Sequence, residues 1–327
     1  MRLRLALVIL TVVVLGGGLT LLDREVMPIH KVVAVVNHAV VTEPSLAGFK
    51  QGMAALGWVE GRNISYLYRG PEASPVALRA QAKEYVDGGA DLVVALSTPA
   101  TQAAVDVTVP AGVPLLMAPS SDPVGSGLVK SVSNPGRPVT GVSFALQEPR
   151  RLEWLARLVP GLRVVWFPYD PTDPSPNLAL RRIQPVADKL GITLVTSDIR
   201  SVGELRAALT AIPKDVQAIF VPPDARIASA VPDLLAVAFP LGLAVSTPHR
   251  EGVSQGALFS YGFDLTALGI QAARLGDQIL KGIPASDLPI ESAEFSLSVN
   301  IASATRLGVA IPDDVLRHAR IFGGKEP

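Results

Sequence analysis

Four short apolar runs in this chain each end in a small polar or acidic residue, beside a proline or at the start of a helix. Residues 90–96 lead to Ser97-Thr98-Pro99, and 114–119 to Ser120-Ser121-Asp122-Pro123. Residues 218–223 lead to Asp224, and 243–245 to Ser246-Thr247-Pro248. A continuous apolar run of this length is a strand buried on both faces, as in a parallel sheet covered by helices. In open α/β sheets a ligand sits in the crevice outside the carboxyl ends of the strands. The polar groups at these four ends therefore point to a small polar molecule held between two lobes.

The elements between the runs agree with that reading. Strands are predicted at 31–36, 63–68, 91–96 and 114–117, alternating with helices at 45–56, 75–88 and 99–107. Ser74 and Pro75 open the second helix, and Gly57 suits the end of the first. The second half repeats the plan, with strands at 163–167, 193–197, 218–221 and 243–245 and helices at 178–190, 202–211 and 227–238. This alternation gives an α/β fold with parallel sheets in two similar lobes. The turn-rich segment Ser133-Asn134-Pro135-Gly136-Arg137-Pro138 leads through a short strand at 142–144 to a helix at 148–158 and marks a crossover. A second crossover follows Tyr261-Gly262-Phe263-Asp264, before a helix at 265–280. A last strand at 295–299 and helices at 302–307 and 312–318 close the chain. The division expected is a lobe 1 of residues 31–144 with 263–290 returning to it, and a lobe 2 of 145–262 with 291–327. The lobe of that C-terminal stretch is left open.

Residues 1–30 stand apart. Arg2 and Arg4 precede an apolar run from residue 5 to 22, the pattern of an export signal or an uncleaved N-terminal anchor. Either puts the globular part outside the cytoplasm, periplasmic or extracytoplasmic. The chain has no cysteine, so disulfides, a lipid-modified cysteine and thiolate metal sites are excluded. With 29 basic and 29 acidic side chains and 5 % aromatics, there is no electrostatic footprint or stacking platform for nucleic acid. There is no P-loop, no G-x-G-x-x-G after a strand, no HExxH and no G-x-S-x-G elbow. No cofactor, metal or catalytic residue is expected, and the chain does not read as an enzyme.

The binding candidates follow from the strand ends. Thr98 is expected to cap the next helix with Pro99 in its first turn, beside Ser97, so that the helix N-terminus attracts an anionic group. Ser121 and Asp122 repeat the arrangement with a charge. Asp224 and Asp264 add carboxylates where the chain should pass between lobes, suiting a zwitterion or a sugar. His38 ends the first strand. Trp166, Phe167 and Tyr169 end the first strand of the second lobe, where each either fills the core or, as expected for Tyr169, stacks on the ligand. Asp224→Ala is expected to abolish solute binding at little cost in stability.

Together the motifs resemble a family. Leu56-Gly57-Trp58-Val59-Glu60-Gly61-Arg62-Asn63-Ile64, residues 91–103 and Ser121-Asp122-Pro123-Val124-Gly125-Ser126-Gly127-Leu128-Val129 stand in its order. So do Asn134-Pro135-Gly136-Arg137-Pro138-Val139-Thr140-Gly141-Val142, although Arg137-Pro138 departs from the usual Gly-Asn pair, and residues 256–264, Gly269, residues 300–308 and Ile311-Pro312. The chain is similar to the extracytoplasmic substrate-binding proteins of ABC importers, in the tryptophan- and tyrosine-uptake branch. The resemblance implies a type I periplasmic-binding-protein fold, two Rossmann-like parallel-sheet lobes joined by hinge strands. By it, Ser97, Thr98, Ser121, Asp122, Asp224 and Asp264 fall at or near the cleft. It implies a monomer that captures an amino-acid-like solute and delivers it to an ABC permease and its ATPase; the alternative is an anchored extracytoplasmic sensor with the same lobes. One loop departs from the family pattern: Asp170-Pro171-Thr172-Asp173-Pro174-Ser175-Pro176-Asn177 replaces an Asn-Pro-Ser-Glu-Pro-Asn-Ser-like stretch.

Overall fold

The computed structural model describes residues 30–324. The N-terminal segment read as an export signal or anchor lies outside the described residues. Among the described residues, no helix is long and apolar enough to cross a membrane.

In chain order the first lobe holds β1 (Lys31–Asn37), α1 (Glu43–Ala55), β2 (Ile64–Leu67), α2 (Pro75–Asp87), β3 (Leu92–Leu96), α3 (Thr98–Ala111), β4 (Leu115–Ser120) and β5 (Val139–Ser143). The chain then enters the second lobe with α4 (Glu148–Leu158), β6 (Val164–Tyr169), α5 (Pro174–Leu190), β7 (Thr193–Asp198), α6 (Val202–Thr210) and β8 (Ala218–Phe220). That lobe continues with α7 (Ala225–Ser229), α8 (Val231–Ala238), β9 (Ala244–His249), α9 (Arg250–Ser254) and β10 (Phe259–Phe263). After it come α10 (Leu265–Leu280), β11 (Glu291–Ser292), β12 (Ser296–Asn300), α11 (Ile301–Leu307), α12 (Asp313–His318) and β13 (Arg320–Phe322).

The strands form two sheets. The first has the order β11-β5-β4-β3-β1-β2 and every pairing in it is parallel. The second has the order β13-β12-β10-β9-β8-β6-β7, parallel except where β12 runs against β10. Helices cover both faces of each, so strands such as β3 and β9 are buried along their whole length. That burial is why the apolar runs in the sequence do not alternate.

Helix α10 leaves β10 of the second sheet and packs on α1 of the first lobe. Small residues make the crossing possible. A Cβ at Gly48 would lie 2.0 Å from the Thr266 carbonyl oxygen, and one at Gly269 2.0 Å from that of Ser45. The close approach lets Phe49 and Met53 share one core cluster with Leu268, Ala272 and Leu275. Truncating a buried aromatic such as Phe49 to alanine should cost about 3–5 kcal/mol.

The boundaries differ from the sequence reading in places with physical causes. Helix α5 begins at Pro174, a turn early, because Asp173 Oδ1 accepts from Ser175 N and prolines are tolerated in a first turn. The single helix expected at 227–238 is two, divided at Ala230 ahead of Pro232. Strand β9 runs past Pro248 to His249, beside a register shift in its pairing with β10. At the C-terminal end Glu291 and Ser292 pair with β5 in the first sheet, and β12 and β13 join the second. The chain therefore passes between sheets three times, through residues 144–147, 264 and 293–295.

Candidate functional site

Between the two rows of strand ends lies a cavity of about 50 Å³, counted as space open to the centre of a water molecule. In this arrangement that is room for a few water molecules, so a larger solute enters only if the lobes part. Both lobes line it.

The first wall comes from the ends of β3 and β4. The sequence reading gave the α3 cap to Thr98; the cap is Ser97, whose Oγ accepts from Ala100 N at 3.3 Å, with Thr98 and Pro99 as the first helical residues. Ser97 holds φ at +138°, a region that side chains rarely occupy, at a cost of about 1–3 kcal/mol that the surrounding contacts must offset. Thr98 is freed to tie two strand ends together. Its Oγ1 lies 3.2 Å from Ser120 Oγ and accepts from Ser121 N at 3.1 Å. Ser121 is buried, lines the cavity, and its Oγ has no hydrogen-bond partner within the protein. This wall carries hydroxyls and the positive end of a helix dipole, and no charged side chain.

The second wall comes from the ends of β6, β8, β9 and β10, and it is acidic. Asp224 caps α7: Oδ1 accepts from Arg226 N at 2.9 Å and Ile227 N at 3.1 Å, and Oδ2 from Asp170 N at 2.8 Å. Burial raises its pKa from the ordinary aspartate value even so. Burial, with the Asp224 carboxylate beside it, pushes the Asp173 carboxyl up to about 7. Asp170 is partly balanced by Arg226, 3.4 Å away. Ser175, on the first turn of α5, is buried at the cavity with its Oγ unpartnered. In the departing loop, Asn177 donates to the Pro171 and Asp173 carbonyls at 2.9 and 2.6 Å, so its amide holds the loop together. Phe144 and Phe263, one from the first crossover and one at the end of β10, close the cavity with rings 4.6 Å apart.

Of the residues singled out in the sequence, Ser97, Thr98, Ser121 and Asp224 meet at this cavity. Four others stand elsewhere. Asp122 bridges the lobes beside it, with Oδ2 accepting from Arg182 Nη1 at 2.8 Å while Arg182 also pairs with the buried Glu148. Asp264 caps α10 through Ala267 N at 2.9 Å, is paired with Arg250, and faces a separate groove with Gln271 and Arg274. His38 borders an outer chamber of about 450 Å³ with Arg79, Asp106, Arg200 and Arg226. Burial and then the Arg226 charge lower its pKa. This chamber shares Pro99, Asp173 and Asp224 with the inner cavity. Tyr169 is half-buried against Phe167, 5.7 Å between centroids, while Trp166 and Phe167 are core. Sequence reasoning missed Asp173, Ser175, Phe144, Phe263 and His249. The first four lie in segments it had marked as a loop or a crossover, and His249 ends a strand whose end it placed four residues too early.

A family model described as "ABC transporter substrate binding protein" matches residues 31–321. A tyrosine-binding protein of Clostridioides difficile (strain R20291) is 28 % identical over 258 residues, covering 78 % of this chain and 74 % of that protein. Among solved structures, a conserved domain protein from Vibrio cholerae O1 biovar El Tor superposes with a TM-score of 0.84 at 27 % identity, over 90 % of this chain and 99 % of that one. An ABC domain from Streptococcus pneumonia in complex with L-Trp gives 0.83 at 26 %, with the same coverage.

Proposed function

Given that this chain belongs to the ABC transporter substrate-binding protein family, we propose that it captures an amino acid as a zwitterion between its lobes. The observation that carries the reading is the opposite polarity of the two walls across one cavity. The α3 N-terminus, with the Ser97, Thr98 and Ser121 hydroxyls, suits a carboxylate. Asp224 and Asp173, with Ser175, suit an ammonium group. Phe144, Phe263 and the prolines leave an apolar slot between them for the side chain. The tyrosine and tryptophan associated with two of the relatives carry rings that suit contact with two aromatic side chains, once the lobes part to admit them.

Only a solute that contacts both walls favours the closed arrangement, because a ligand shifts such an equilibrium by its differential affinity for the two states. In this proposal residues 31–144 with 263–292 form one moving body and 145–262 with 293–324 the other, and the three crossings act as the hinge. The solute is then handed to a permease and ATPase pair from outside the cytoplasm, with residues 1–30 serving as export signal or anchor. Binding of solute to the folded state raises the unfolding midpoint. A thermal-shift panel of L-amino acids, sugars and organic acids tests the reading. A shift confined to L-amino acids supports it, and a shift with sugars alone would reject it.

A further inference from the structure

His249 is the last residue of β9 and is only 5 % exposed. It lines the cavity, and neither ring nitrogen has a hydrogen-bond partner within the protein. Its Nδ1 side is taken up by Glu251, whose Oε2 lies 3.4 Å away. Glu251 is itself fixed, since Oε1 accepts from Leu265 N, just past the second crossover, at 2.9 Å. Burial pushes the Glu251 carboxyl up, but the adjacent His249 and backbone N–H groups outweigh it and leave its pKa below the usual value. One face of the ring meets Phe263 edge-on at 6.3 Å. The imidazole is thus held by its neighbours, with Nε2 on the side away from Glu251. A buried nitrogen of this kind is costly to leave unpaired.

The sheet order fixes where along the cavity this group stands. From the acidic end the second wall runs β6, β8, β9, β10. Adjacent strands lie about 4.8 Å apart, so β9, which ends at His249, lies about one spacing from β8, which leads to Asp224, and about two from β6, which leads to Asp173 and Ser175, on the side of β10 and Phe263. An ammonium group anchored at the acidic end sends its side chain along this row and past His249.

We infer that His249 is a specificity-determining residue that hydrogen-bonds a hydroxyl or N–H group on the solute's side chain, so that the site favours a side chain carrying such a group over its hydrocarbon counterpart. The inference rests on the amino-acid reading above and adds to it the reader of the side chain. A site built to hydrogen-bond a substrate hydroxyl rejects the analogue without it, because the protein's own group is then left unpaired. L-tyrosine and L-phenylalanine differ by that one group.

The test is calorimetric titration of wild type, His249→Phe and His249→Gln with both amino acids, each variant checked for an intact unfolding transition. Wild type is expected to bind L-tyrosine at least about tenfold tighter than L-phenylalanine. His249→Phe should bring the ratio close to one, mainly by weakening L-tyrosine, and His249→Gln should restore part of the preference. Equal affinities in wild type, or a preference that survives in folded His249→Phe, overturns the inference while leaving the amino-acid reading intact. Binding of neither these nor any other L-amino acid to wild type overturns the amino-acid reading, and the role of His249 with it.

Discussion

The two walls of the cleft are built from the same kind of element, a parallel strand feeding a capped helix, yet they differ in charge. At the end of β3 the cap is a serine, and the neighbouring polar groups are hydroxyls. At the ends of β6 and β8 the caps are aspartates, Asp173 and Asp224, close enough that the Asp224 charge helps raise the Asp173 pKa. Cap choice is nearly neutral for a helix, since serine and aspartate serve about equally well. In the function proposed above, the asymmetry follows from what the walls would face, an anionic group on one side and a cationic group on the other.

The largest blow to that contrast comes from Asp224→Asn. It removes the deeper charge of the acidic wall and should weaken an L-amino acid by at least about thirtyfold in calorimetry. It should also cost about 1–3 kcal/mol in denaturant unfolding, because one amide cannot accept from the Asp170, Arg226 and Ile227 N–H groups together. For the same reason Asp224→Ala, expected from the sequence to cost little stability, removes the acceptor of three backbone groups. An affinity unchanged in Asp224→Asn would make the acidic wall a set of caps and nothing more.

Asp173 sharpens the contrast through pH. Its folded pKa of about 7 lies above the ordinary 3.8, so the folded protein holds this proton more tightly than the unfolded chain does. The stabilisation from this group is full below the ordinary value, declines as pH rises from about 4 to about 7, and is gone above that. Binding of an ammonium group runs the other way, because it needs the carboxylate. Affinity should fall by up to about tenfold per unit below pH 7 and level off above it. Titrations between pH 5 and pH 8, with Asp173→Asn as the control that flattens the profile, check the sign.

The smallest effect belongs to the bridge between the walls. Asp122→Asn removes an ion pair to Arg182 at the partly exposed rim and should weaken solute by about two- to fivefold, by destabilising the closed arrangement alone. A loss as large as that of Asp224→Asn would mean that Asp122 touches the solute.

Much of the fold was readable because burial on both sheet faces forces continuous apolar runs, and the strand ends followed from them. Ser97, Thr98, Ser121 and Asp224 reach the cavity for that reason. Asp264 and Asp122 show where such reasoning stops. A strand-end carboxylate can cap a helix, pair with an arginine or face a solute, and the choice depends on Arg250 and Arg182, which are remote in sequence or on another element. His249 was hidden by Pro248, which looks like the end of a strand but sits beside a register shift within one. The pairing of Glu291 and Ser292 with β5 was hidden too, since two residues carry no period.

The most direct test of a two-walled zwitterion site is to titrate the protein with L-tyrosine, its decarboxylated amine and its deaminated acid. The account predicts that losing either end weakens binding by at least about thirtyfold, each wall being left with an unpaired group. An amine or an acid that binds as tightly as the amino acid would contradict it, and would name the wall that plays no part.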